Sequence, residues 1–170
     1  MAIVVRRAVP KDLPVMLDIY NDEVLHGSAT FDVTPKTLEE RQVWFNAHTW
    51  PARPLLVATD GNCVLGYASL SDYKPKEAYA GTAEISVYVA RDARGRRIGR
   101  QLVEALIEHA KREPSLHVLV SIVCAENAAS LALHRKLGFR EVGTLHAVGQ
   151  KFGRYLDTHI WELVLEAPEV

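Results

Sequence analysis

The residues best suited to chemistry lie in one short run, Arg94-Gly95-Arg96-Arg97-Ile98-Gly99-Arg100. Arginine offers planar, bidentate donors that suit a phosphate. The same residues could instead form a solvated helix start, and charge alone does not separate the two readings. The elements on either side bear on the choice. From Thr82 to Val89 the chain alternates: Glu84, Ser86 and Tyr88 share one face, and Ala83, Ile85, Val87 and Val89 share the other. A period of two, rich in Ile and Val, predicts a strand. Beyond the turn, Ile98, Leu102, Val103, Leu106, Ile107 and Ala110 fall at helical spacing on one face. The unit is therefore strand, basic glycine-bearing turn, helix. The first N–H groups of a helix have no intrahelical partner and carry the positive end of its dipole. A turn that aims them outward makes an anion site.

The whole chain narrows the partners. It has 170 residues, 48% of them apolar, and a formal net charge of −1. That size predicts a single domain, residues 1–170, with room for a core. An RNA-binding module is disfavoured, because net positive charge and aromatic stacking residues beside the basic turn are both missing. Cys63 and Cys124 stand far apart without metal-ligand or disulfide-framework spacing, and the histidines are scattered. No metal is expected. The first residues carry too short an apolar run for a signal peptide, and no stretch approaches a membrane span. A cytoplasmic protein that binds neither nucleic acid nor membrane is the expectation.

In order, Ile3 to Val5 predicts a strand. Pro10-Lys11-Asp12 opens a helix running to about Leu25. Gly27 to Phe31 is a loop. Thr37 and Glu40 have capping-box spacing and start a second helix, whose Val43, Trp44 and Phe45 read as core rather than as a cofactor box. Leu55 to Ala58 and Val64 to Leu70 form a hairpin around Asp60-Gly61-Asn62. Ser71 to Gly81 is a loop. Val118 to Val123 is an almost continuous apolar run, suited to a strand buried on both faces. Asn127 caps a helix through Lys136. Phe139 to Leu145 is a strand, Lys151 to Gly153 a connection, and Tyr155 to Leu165 the last strand. The central strand, helix and Val118 strand form a crossover unit, so those two strands should run parallel.

Arg94 to Gly99 resembles the (Gln/Arg)-x-x-Gly-x-(Gly/Ala) loop of the GNAT N-acetyltransferases, with Arg97 where that family usually has glycine. Asn127 to Phe139 resembles the family's Asn-x-x-Ala-x-x-x-Tyr-x-x-x-Gly-Phe segment, with His134 in place of tyrosine. Tyr20-Asn21, Ala29-Thr30-Phe31, Gly66-Tyr67-Ala68-Ser69, Glu84-x-Ser86-Val87-Tyr88-Val89 and Val148 to Asp157 are similar to the phosphinothricin and methionine sulfoximine N-acetyltransferase branch, and the likeness spans nearly the full chain. It implies a mixed, mostly antiparallel α/β sheet with one central parallel strand pair and helices on both faces.

The resemblance also implies roles. Acetyl-CoA would lie on Arg94, Gly95, Arg96, Arg97, Ile98, Gly99 and Arg100, on the backbone of Val87, Tyr88 and Val89, and on Asn127 and Ser130. One N–H of that strand could serve as the oxyanion donor. Glu84 would be the general base for the acceptor amine; the plainer alternative is an exposed strand glutamate. His134 would either protonate the leaving thiolate or only order the site. Phe31, the loop Tyr73-Lys74-Pro75-Lys76, and Glu84, Ile85 and Ser86 would line the acceptor pocket. The branch grips its substrate carboxylate with arginines, where this chain has Lys74 and Ala80, so a weaker clamp is expected. The implied activity is acetyl-CoA-dependent acetylation of the α-amine of an amino-acid-like molecule by a homodimer. Competing readings are a peptide N-acetyltransferase and a non-catalytic CoA-binding module.

Overall fold

The computed structural model describes residues 2–166. Seven strands form one sheet: β1 (Ile3–Arg7), β2 (Leu55–Asp60), β3 (Cys63–Asp72), β4 (Thr82–Val89), β5 (Val118–Cys124), β6 (Arg140–Lys151) and β7 (Arg154–Val164), in the spatial order β1-β2-β3-β4-β5-β7-β6. All neighbours are antiparallel except β4 and β5. Among the described residues there are four α-helices, α1 (Leu13–His26), α2 (Leu38–Ala47), α3 (Ile98–Arg112) and α4 (Ala128–Lys136). No helix among the described residues is long and apolar enough to cross a membrane.

The two faces of the sheet bury different things, as the period-two patterns require. Leu56, Ala58, Ala68, Leu70, Ala83 and Ile85 pack with Ile98, Leu102 and Leu106 of α3. Their strand neighbours Leu55, Val57, Tyr67 and Tyr88 turn the other way and meet Met16, Ile19, Tyr20 and Val24 of α1. Each face therefore has its own helical cover, and β4 contributes to both.

Several expected boundaries shift. The first turn at Pro10–Asp12 is 3-10, with α1 starting at Leu13. The carboxylate of Asp12 accepts from Val9 N–H at 2.9 Å and from both terminal nitrogens of Arg6, which tightens that turn. The strand expected to stop at Leu145 continues to Lys151, past an irregularity between Leu145 and Gly149. Ala147 has φ 54° there and donates its N–H to Asp157 at 2.7 Å, so the bulge is held by a side chain rather than by a ladder bond. The connection shrinks to Phe152-Gly153, with φ 53° and 72°, the paired positive values of a type I′ hairpin turn. Val43 is exposed, so the apolar face of α2 is carried by Trp44 and Phe45 alone. Ile122 is exposed as well, so β5 is not covered on both faces along its whole length.

Candidate acetyl-transfer site

The site exists because two strands part. β4 pairs with β5 only from Thr82 to Glu84, opposite Val118 to Val120. Beyond that, β4 stays with β3 to Val89, and β5 stays with β7 to Cys124. A wedge opens between them. Ala90 donates its N–H to Leu65 O at 2.8 Å. The two-residue period then puts the N–H groups of Tyr88 and Ser86 on the β3 side as well. Those of Val87 and Val89 point across the wedge, where β5 has moved away. Of the three residues expected to offer backbone groups, Val87 and Val89 are placed to do so; the Tyr88 backbone is spent on β3.

One end of the wedge leads to the basic turn. Gly95 has φ 80° and Arg97 φ 61°, so the chain turns twice through left-handed geometry before α3 begins. This explains why glycine suits position 97: an L side chain in that region carries strain of about 1–3 kcal/mol. The start of α3 is open. Thr37 with Glu40 caps α2 and Asn127 caps α4 through Ser130 N–H, but no side chain caps α3. The first intrahelical bond is Gln101 N–H to Arg97 O at 3.1 Å, leaving the preceding N–H groups for an anion. A groove of about 730 Å³ runs beside them, lined by Val87, Tyr88, Val89, Arg94, Gly95, Arg97, Ile98, Gly99 and Arg100, with Asn127 and Ser130 on the far bank. A Cβ added at Gly99 would meet Val89 at 3.6 Å, an ordinary contact, so the packing of α3 on β4 does not itself demand glycine there. Arg96 is the exception, turned away to pair with Asp60 at 3.0 Å. Arg91 and Lys136 also line the groove and were not singled out from the sequence. Both lie near the motifs as exposed cations; spacing alone did not point to them.

The other end holds Glu84. A cavity of about 240 Å³ is lined by Phe31, Glu84, Ile85, Ser86, Val87, Tyr88, Asn127, Ser130 and His134, and on the β5 side by Ser121 to Cys124. Glu84 is half-buried and has no hydrogen-bond or ion-pair partner among the described residues. Its carboxyl is pushed above the ordinary glutamate value by burial alone. Phe31 lies against Gly149 of β6, where any Cβ would collide with its ring. Its loop is anchored by Lys151, whose ammonium donates to Thr30 O at 2.8 Å and Glu23 O at 3.2 Å. Ala29 N–H donates to Glu23 at 3.1 Å, and the other oxygen of that carboxylate takes Arg94 at 2.8 Å. Arg94 therefore ties the basic turn to the Phe31 loop. Lys151 lies more than a hundred residues from the carbonyls it holds, and Arg94 lies 71 residues from Glu23, which is why sequence reasoning missed Glu23 and Lys151 as supports of the site.

His134 is buried, and its Nδ1 lies 2.7 Å from Ser130 O. A carbonyl only accepts, so Nδ1 carries the hydrogen. Burial lowers the imidazole pKa, and the neutral ring then presents a bare Nε2, which is buried without a partner. Tyr73, Lys74, Pro75 and Lys76 line none of the cavities described here. The Lys74 ammonium sits 5.0 Å and 5.4 Å over the rings of Tyr73 and Tyr79 in its own loop. The carbonyl of Ala80 accepts from Arg53 at 3.0 Å.

A wedge between parting strands, beside an uncapped helix start, suits a long anionic thioester and an amine meeting at its middle. The comparisons with known proteins agree. The profile described as "Acetyltransferase (GNAT) domain" matches residues 5–160. The L-methionine sulfoximine/L-methionine sulfone acetyltransferase of Pseudomonas paraeruginosa is 47% identical, over 98% of this chain and 96% of that protein. A phosphinothricin acetyltransferase from Sinorhizobium meliloti, solved in complex with AcCoA, superposes with a TM-score of 0.92 at 34% identity, over 97% of this chain and 89% of that one. A structure named ribosomal-protein-alanine N-acetyltransferase, from Brucella melitensis, does so with 0.91 at 46% identity, over 95% and 99%. With the open start of α3 and the parted strands already in place, these matches settle that the chain belongs to the GNAT acetyltransferases.

Proposed function

We propose that this acetyltransferase acetylates the α-amine of a free amino acid, of the methionine sulfoximine or phosphinothricin type, directly from acetyl-CoA. The observation that carries this reading is Glu84: a carboxylate without a partner among the described residues, half-buried, in a small cavity that opens onto the parted strands. When bound, acetyl-CoA supplies an electrophilic thioester carbonyl. This chain's own residues do the rest. The open start of α3 and the arginines around it hold phosphate, and the free N–H groups of Val87 and Val89 face the wedge as donors. Glu84 takes a proton from the acceptor ammonium, directly or through water. Burial raises its pKa and so makes it a stronger base than an exposed glutamate. His134 orders α4 through Ser130 rather than giving up a proton, since its neutral form has a lone pair, not a hydrogen, on Nε2.

The relatives' names support the substrate class, and so does the aromatic ring of Phe31 in the wall of the acceptor cavity. A homodimer is part of the reading. Val142, Leu145, Val148, Phe152 and Tyr155 are exposed apolar residues on the β6–β7 hairpin, and sedimentation at tens of micromolar would reject the idea by giving a monomer. Trp161, by contrast, is buried in the core. A peptide acceptor is the second reading, favoured by the name of the Brucella melitensis structure. Acetyl-CoA turnover over free amino acids, their decarboxylated amines and alanine-terminated peptides separates the two. Free amino acids are expected to be the best acceptors; a preference for peptides would overturn the assignment.

A further inference from the structure

We infer that Arg41 forms a second subsite of the acceptor pocket, one that receives a polar, oxygen-bearing end of the acceptor's side chain. This rests on the amino-acid reading of the acceptor. Arg41 is only 6% exposed, yet no carboxylate pairs with it among the described residues. Its guanidinium lies 3.5 Å over the Trp44 ring and 4.2 Å over Tyr20. Two aromatic rings therefore crowd the guanidinium, whose N–H groups lie around its edge. One edge donor goes to Tyr67 Oη at 2.7 Å, while Nε is buried with no partner. A buried unpaired donor costs about 1–3 kcal/mol, so an arginine left this way has room for an acceptor oxygen.

The space is there. Arg41 lines a cavity of about 370 Å³ that shares Ser86 and Tyr88 with the Glu84 cavity. Its floor is a ladder on one face of β3 and β4. Glu84 stands opposite Ser71, Ser86 opposite Ser69, and Tyr88 opposite Tyr67, the tyrosine that Arg41 touches. Successive rungs lie about 7 Å apart. Ser69 and Ser71 also line this cavity. The two acids on its rim are already engaged. Asp32 accepts from the Tyr20 hydroxyl and lies 3.5 Å from Lys36, and Glu40 closes the cap of α2.

Distance selects which end of the acceptor arrives. With its amine at Glu84, an amino acid can place a carboxylate oxygen no more than about 3.6 Å from its nitrogen. That stays on the first rung. A side chain of three or four atoms reaches roughly 6 Å and arrives at the next, among Ser69, Ser86 and Arg41. Sulfone, sulfoximine and phosphinate oxygens are strong acceptors there, and Trp44 and Tyr20 wall the apolar part of such a chain.

The test compares methionine sulfone with norleucine, which has the same chain length and no side-chain oxygen. Wild-type enzyme should favour the sulfone in kcat/KM. Arg41→Met should cut that preference by about 10–100-fold, mainly through KM for the sulfone, and Arg41→Lys should restore part of it. An unchanged sulfone-to-norleucine ratio in Arg41→Met, with both substrates losing activity together, would make Arg41 a purely structural part of the aromatic cluster and overturn the inference. Should Arg41→Met fail to fold, Ser69→Ala leaves the aromatic cluster alone. It should lower the ratio by about threefold, and no change would equally count against the subsite. Wild-type enzyme that acetylates both amino acids equally overturns only the subsite; wild-type enzyme that acetylates no amino acid overturns the reading beneath it.

Discussion

The two ends of the wedge are built on different physics. The acetyl-CoA end is made of backbone N–H groups and exposed arginines from one continuous stretch, Val87 to Arg100. Its arginines are solvent-facing, Arg94 48% exposed and Arg100 50% exposed, although Glu23, the partner of Arg94, is buried. The acceptor end is made of buried groups from α1, α2, β3, β4 and β6, where a tyrosine, an arginine and a carboxylate share little water. Burial pushes the Tyr20 phenol up to about 12 and the Tyr67 phenol well above its ordinary value. Exposed charges act weakly and add up; buried ones act strongly and singly. Single substitutions should therefore hurt the acceptor end more than the acetyl-CoA end.

The largest expected difference is at Glu84. Glu84→Gln keeps the shape and removes the base, so kcat should fall by about 10²–10⁴-fold while acetyl-CoA affinity stays near wild type. The sign of the pH dependence follows from burial. The carboxyl pKa is raised, so the acidic limb of kcat/KM should lie above the ordinary glutamate value of about 4.3, and the variant should lack it. A variant that turns over normally would erase the contrast between the two ends.

Lys151 comes next, because it supports the acceptor end from below. It is 3% exposed and holds the carbonyls of Glu23 and Thr30. Lys151→Met should cost about 1–3 kcal/mol in urea unfolding by leaving those carbonyls unpaired, and should raise KM for the amine more than for acetyl-CoA. Equal effects on both substrates would show that the loop serves the whole wedge.

At the acetyl-CoA end the effects shrink. Arg94→Ala should weaken acetyl-CoA binding by only a few-fold, and calorimetry at rising salt should show the difference narrowing. A loss of a hundredfold or more would mean that its tie to Glu23 counts for more than its charge. Arg97→Gly is the smallest change. Relief of its left-handed backbone should offset the lost charge and leave thermal stability within about 1 kcal/mol of wild type, or slightly above it. A strong drop would show that the side chain, not the turn, holds the loop.

The same contrast governs what could be read in advance. The strand, basic turn and amphipathic α3 are contiguous, and each follows from local rules: period two, left-handed turn chemistry, period 3.6. The capping residues Thr37 and Asn127, and the faces of β4 with Glu84 and Ser86 on one side, follow in the same way. Where a non-local contact decides, local rules give the wrong length or nothing at all. β6 runs six residues past Leu145 because Asp157 on the next strand holds its bulge.

By itself the sequence determined the order of the elements and the backbone cradle at the start of α3, which depend on neighbours within a few residues, and the parallel pair, which follows from the strand–helix–strand crossover. The family motifs it carries also named Glu84 and His134. Only the tertiary structure fixed Glu84 as the last residue of β4 paired with β5, and decided that Lys74 stays with its own tyrosines, that His134 shows a lone pair, and that Arg41 lies buried beside Ser86 with a donor to spare. Desolvation is the reason. Whether a charge is buried, and what it then meets, depends on chain segments tens of residues away, and no local period encodes that.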